Sequence, residues 1–270
     1  MIDLCARLFR QNIEVSPFSG YNYHIMRLKC LTCEALARPV YFCAAQSPHS
    51  VDIELVRIGL HDRPKDLRSR LQSLIDEAPP EKYEAVLVAY GLCGQATAGL
   101  ASRQMPLVIP RAHDCITLFL GSRERYRQQF ESNPGTYWYS QDYIERRDGS
   151  TLALSMGSGI SLDLEAEYNN YVEKFGKENA DYLMEVMGAW SSHYNRAAYI
   201  DLGLGDAARV VEQAQGEAQR RGWAFERLQG DINLVCRLVN GEWGEDFLVV
   251  PPGHRIAMQV GDDVIGIESS

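Results

Sequence analysis

No stretch of this 270-residue chain approaches the roughly 20 consecutive apolar residues that span a bilayer, so no membrane helix is expected. The first 30 residues carry no apolar segment followed by a small-residue cleavage site, which argues against secretion. Positive charge is scarce. Lys and Arg total 27 against 36 Asp and Glu, a formal charge of -9, and without a basic stripe nucleic acid is not an expected partner. Neither G-x-G-x-x-G nor a double C-x-x-C pattern occurs, so the dinucleotide fingerprint and the common structural zinc spacing are both missing. A composition of 46% hydrophobic and 23% charged residues excludes a disordered or collagenous chain and supports one large domain or two lobes. These features together predict a cytoplasmic protein.

Cysteine is what the chain does have: Cys5, Cys30, Cys33, Cys43, Cys93, Cys115 and Cys236. An odd count in a chain not expected to be secreted argues against a disulfide framework and for reduced thiols. Six of the seven fall within the first 115 residues.

Alternating patterns place these thiols. Residues 1–25 read as an N-terminal extension with Pro17 and Gly20. From Met26 onward, strand patterns at 27–33, 51–60, 85–92 and 106–110 alternate with helical patterns at 34–46, 63–78 and 116–131, the last interrupted at Gly121. A short helix is also expected within QATAGLAS (95–102). Residues 132–196 are read as connecting loops with a short hairpin, then a long helix over 165–190. A second round follows over 197–270: a strand at 197–203, a helix at 206–222 with Asp206 as N-cap and Gly222 as its stop, then WAFERLQG, a short helix in DINLVCRLVNGEW, and FLVVPPG. The fold class expected is α/β, with two Rossmann-like lobes of mainly parallel sheet and a cleft between them. Gly203-Leu204-Gly205 is only a fragment of a phosphate-binding turn.

Ligands of open α/β sheets collect outside the carboxyl ends of the strands. In the first lobe those ends deliver Cys33, His61, Cys93 and the run Arg111-Ala112-His113-Asp114-Cys115 to one rim. Neighbouring strands lie about 4.8 Å apart, so side chains from these loops can reach one ion. Cys33, Cys93, Cys115 and His113 are therefore the candidate metal ligands. His61, Arg111 and Asp114 are the candidate catalytic residues: His61 as a site imidazole or a turn cap, Arg111 to balance thiolate charge or grip an anionic substrate, Asp114 to orient a histidine or else to sit on the surface. Cys5, Cys43 and Cys236 read as small buried hydrophobes, and Cys30 as a strand-core residue. Tyr137-Trp138-Tyr139 reads as core or hinge packing, or a cleft wall.

The segments GLHDRPKDLRSRLQSLID, YEAVLVAYGLCG, PLVIPRAHDCITLFLGSRERY and PGTYWYS resemble a domain-of-unknown-function family of methanogens and other anaerobes, from about Met26 through FLVVPPG. That resemblance implies family cysteines at Cys33, Cys93 and Cys115 with His113 and His61 beside them. It also implies an association with corrinoid methyltransferase systems, hence a corrinoid protein or methyltransferase as partner besides a small-molecule substrate. It names no reaction.

Three chemistries fit the constellation. A zinc site built from His113, Cys115 and Cys93 or Cys33, with one open position, would deprotonate a substrate thiol for methyl transfer. A [4Fe–4S] cluster on three thiols would make Cys33 essential and the histidines peripheral. A non-catalytic accessory protein would hold a metal, corrinoid or small molecule for a partner. Zinc is the favoured cofactor.

Overall fold

The computed structural model describes residues 24–146, 172–173, 176–177, 194–259 and 263–269. Its centre is a five-stranded sheet in the order β2-β1-β3-β4-β8, made of β1 (Arg27–Cys33), β2 (Ser50–Val56), β3 (Ala85–Ala89), β4 (Leu107–Pro110) and β8 (Phe247–Val250). The first four strands run parallel, and β8 closes the edge antiparallel to β4. All residues of β3 and β4 are buried, the near-continuous apolar run of strands covered on both faces. The tail expected to complete a second lobe thus divides: Arg196–Asp201 and Ala224–Gln229 join another sheet, while Phe247–Val250 returns to the first.

A second parallel sheet has the order β5-β6-β7, with β5 (Thr136–Tyr139), β6 (Arg196–Asp201) and β7 (Ala224–Gln229). β5 is Thr136-Tyr137-Trp138-Tyr139, so the aromatic run is a buried strand rather than part of a loop and hairpin. Tyr137 packs on Tyr194 and Trp223. The long helix expected at 165–190 lies outside the described residues apart from 172–173 and 176–177. The hairpin of β9 (His254–Met258) and β10 (Ile265–Ser269) completes the strands.

Seven α-helices are described: α1 (Ala37–Gln46), α2 (Pro64–Asp76), α3 (Cys115–Leu120), α4 (Arg123–Ser132), α5 (Gln141–Arg146), α6 (Ala208–Arg221) and α7 (Asn233–Val239). Pro39 is tolerated in α1 because it occupies the first turn, where its missing N–H has no intrahelical acceptor to lose. In α2, Leu67, Leu71, Leu74 and Ile75 form the buried stripe. QATAGLAS does not become a helix. Gln95 and Gly99 take positive φ, and the segment pairs with β9 instead, Gly99 N–H donating to Ile256 O at 2.7 Å and Ile256 N–H to Leu100 O at 2.9 Å. Gly121 divides α3 from α4 at φ 70, where a Cβ would lie 2.6 Å from the Asp231 side chain.

The two sheets share one buried core, and their junction is packed, with only about 10 Å³ free beside Asp142 and Tyr199. Asp142, on α5, accepts from the Arg38 backbone N–H at 2.9 Å and the Arg38 guanidinium at 2.5 Å, tying α5 to α1. A second tie corrects the thiol reading. Cys43 of α1 and Cys236 of α7 form a disulfide with Cα atoms 4.8 Å apart. They are not separate buried hydrophobes. The two helices that carry them pack together, which no local pattern at either residue announces. Among the described residues, no helix is long and apolar enough to cross a membrane.

Candidate metal centre

The carboxyl ends of β1, β2 and β3 stop level with one another: Cys33 pairs with Val56, and Thr32 with Ala89. Beyond those ends the chain turns into loops that hold Cys33, His61, Cys93, Asp114 and Cys115 around one small cavity, with Tyr90 and Ile58 completing the wall. All of these residues are buried. The free volume is about 20 Å³ for the centre of a water-sized sphere, room for one atom-sized occupant.

Two loops bring the thiols of Cys93 and Cys115 together. Leu92 N–H donates to Ala112 O at 2.8 Å and Cys93 N–H to His113 O at 2.9 Å. The approach depends on Gly91: a Cβ there would lie 2.6 Å from both Cα and N of Asp114. Cys93 itself sits at φ 45, a conformation costing about 1–2 kcal/mol for a residue with a Cβ and one that collects at functional sites. Asp114 is not a surface residue; it is 7% exposed. It caps α3 by accepting from Ile116 N–H at 3.0 Å, and it accepts from the Tyr126 hydroxyl at 3.2 Å.

Burial dominates the electrostatics. It pushes the Cys33 thiol up to about 11, against the pull of the Ala35 N–H. Cys93 and Cys115 are pushed further up, by burial first and then by Asp114 and the neighbouring thiols. Asp114 is raised to about 6 by the same desolvation. Tyr90, 3% exposed, is held well above the ordinary phenol range by burial and the three thiols. Its hydroxyl, close to Cys33, makes no hydrogen bond of regular geometry among the described residues. Neutral thiols packed in this way are poor nucleophiles on their own, because the thiolate is the reactive form. A cation would reverse the balance.

Of the four ligands expected from the sequence, three share the cavity and the fourth does not. His113 is exposed on the other side of its loop, stacked on Tyr126 at 5.8 Å, and partial desolvation lowers its pKa. Successive residues of an extended loop point to opposite sides, which carries His113 away from the side taken by Asp114. The imidazole beside the thiols is His61. Arg111 also stands apart from the thiols, donating to Ile265 O at 2.5 Å. Tyr90 was missed by the sequence reading, although its place at the end of β3, just before Gly91-Leu92-Cys93, marks it as a rim residue. As placed, no group of three or more His, Cys, Asp or Glu side chains among the described residues is already set to hold a metal ion. The donors nevertheless suit one by type: three buried thiols, an imidazole and the Tyr90 hydroxyl beside Cys33 around an ion-sized void.

Residues 55–239 match the model of a family described as a protein of unknown function, DUF1638. The matched range takes in His61, Cys93, Asp114 and Cys115 and begins after Cys33. No curated protein matches the chain.

Proposed function

The chain belongs to the DUF1638 family of proteins of unknown function, and from that premise we propose that Cys33, Cys93 and Cys115 hold a single metal ion, zinc in the first instance, beside His61. The observation that carries this reading is that three thiols from three separate strand ends line one small, ion-sized cavity. A lone cysteine is inert in such surroundings, but three thiols with raised pKa values can be deprotonated together when a cation compensates their charge. Backbone N–H groups of Ala35 beside Cys33, and of Gly91 and Cys115 beside Cys93, favour the thiolate forms. Cavity size favours one ion over a four-iron cluster. When bound, zinc supplies a Lewis acid that keeps a coordinated thiol deprotonated at neutral pH. The reaction class that suits such a centre is alkyl, including methyl, transfer to a thiol. Within the chain, Asp114 and Tyr126 fix the loop that presents Cys115, and Tyr90 offers a hydroxyl to the cavity.

Elemental analysis of protein purified without oxygen tests this reading. About one zinc per chain is expected, lost in Cys115→Ser and kept in His113→Ala. Replacement by Co²⁺ should add intense sulfur-to-metal absorption in the near ultraviolet. About four irons per chain in a brown protein would replace the single-ion reading by a cluster. Metal-free protein that takes up neither zinc nor iron would refute both.

A further inference from the structure

A cleft of about 520 Å³, far roomier than the thiol cavity, lies on the other side of the same loop, with a volume in the range of small-molecule sites. Three features of its wall point to a ligand. First, His113, Tyr126 and Phe130 form a stack, with ring centroids 5.8 and 6.1 Å apart and planes inclined by only 25° and 17°. The stack ends at Phe130, which lines the cleft and is 58% exposed, leaving a flat apolar surface accessible to a ligand. Second, Thr117, 1% exposed, lines the cleft with a buried hydroxyl that has no hydrogen-bond partner among the described residues. Leaving such a group unpaired costs about 1–3 kcal/mol. Third, the Arg111 side chain is 18% exposed. Its Nη1 is held by the carbonyls of Ile265 at 2.5 Å and Asp263 at 3.3 Å, while Nε and Nη2 make no hydrogen bond among the described residues. That leaves the edge of the guanidinium that engages a carboxylate through two parallel bonds.

Of the acidic groups on the wall, Asp246 and Glu124 are compensated, and Glu131 is exposed and screened by water. Asp246 is shared between Arg123 at 3.4 Å and Arg237 at 2.7 Å, and Glu124 is paired with Arg127 at 2.5 Å. Arg111 has Asp263 at 3.5 Å, a carboxylate that is 66% exposed and screened by water.

We infer that this cleft binds a small molecule with a carboxylate on a flat conjugated body, the carboxylate on Arg111 and Thr117 and the flat body against the His113–Tyr126–Phe130 stack. Tyr126 belongs to both sites, since its ring lines the cleft and its hydroxyl reaches Asp114 in the wall of the thiol cavity. The ligand therefore sits one residue layer from the cysteines. The inference does not require a metal ion, and its test is run without one.

Benzoate is the probe, with benzamide as the neutral isostere and acetate as the anion without a ring. All three are titrated into chelator-treated protein and followed by saturation-transfer NMR. Benzoate should bind with a dissociation constant on the order of 1 mM, and benzamide and acetate about tenfold or more weakly. Arg111→Gln should weaken benzoate about tenfold and leave benzamide unchanged, a split that general damage to the fold would not produce. Phe130→Ser, at an exposed position, should weaken benzoate and benzamide alike. Thr117→Val should weaken benzoate while raising the melting temperature, because it removes an unsatisfied buried hydroxyl. Absence of saturable benzoate binding overturns the inference, as does equal binding of benzamide or indifference to both Arg111→Gln and Phe130→Ser. Because the protein is metal-free, failure here leaves the zinc analysis standing, and failure of that analysis leaves this one standing.

Discussion

Gly91→Ala probes the geometry on which the thiol cavity depends. The added methyl would lie 2.6 Å from Cα and N of Asp114 and 2.8 Å from its carbonyl carbon. Carbon contacts normally settle near 3.5–4.0 Å, so the two loops must part by about 1 Å. Those neighbours are backbone atoms at the start of α3 and cannot rotate aside. The parting strains two hydrogen bonds, Leu92 N–H to Ala112 O at 2.8 Å and Cys93 N–H to His113 O at 2.9 Å, each contributing about 0.5–1.5 kcal/mol. Overpacking adds about 1–3 kcal/mol. The sum is about 2–6 kcal/mol, a fall in melting temperature of at least roughly 4 °C for a chain of this size. Thermal melting by circular dichroism measures it, and the rate at which Cys93 and Cys115 react with a thiol reagent should rise as the cavity opens. Gly216→Ala is the control of opposite sign. It lies within α6 with only the Arg220 guanidinium 3.6 Å from the new methyl, so helix propensity should raise stability by about 0.5–1 kcal/mol. A Gly91→Ala protein that melts within about 2 °C of the parent, with unchanged thiol reactivity, would refute the close-approach reasoning.

The disulfide yields another expectation. Cys43 and Cys236 are 193 positions apart, and a bridge closing so long a loop contributes about 3–5 kcal/mol. Dithiothreitol should lower the melting temperature of the parent and leave that of a Cys43→Ala/Cys236→Ala double variant unchanged; alkylation of both cysteines without reductant would rule the bridge out. Asp114 carries a pH dependence. Its folded pKa of about 6 exceeds the ordinary aspartate value of 3.8, so the folded state binds more protons between those limits and stability falls as pH rises through that window. The penalty, about 1–3 kcal/mol, is complete above pH 6 and absent below 3.8. Asp114→Asn, which keeps an acceptor for the Ile116 N–H, should therefore be more stable than the parent at pH 7, with the gain vanishing towards pH 4. A gain that persists at pH 4, or none at pH 7, contradicts the desolvation account.

Much of the rim was legible in order. The apolar run 85–92 and the pattern PLVIP mark strands that emerge as β3 and β4, and strand ends are where a parallel sheet gathers its ligands, so Cys33, Cys93, Cys115 and His61 could be assigned to one edge before any coordinates. Periodicity failed where the backbone turns left-handed. Gln95 and Gly99 convert an apparent helix in QATAGLAS into a strap that pairs with β9, a partner more than 150 residues away. It also could not say which side of a loop a side chain takes, and so His113 was grouped with thiols that it does not face.

The amino-acid order alone determined the alternation of strands and helices, the stops at Gly121 and Gly222, and the delivery of thiols to one edge, because each follows from hydrogen bonding and burial among neighbours a few residues apart. Only the tertiary structure decided that Cys43 meets Cys236, that Phe247–Val250 returns to the first sheet, that Asp114 is buried, and that His61 rather than His113 stands beside the sulfurs. Those outcomes depend on the packing of surfaces remote in the chain, and no local preference encodes which remote surface arrives.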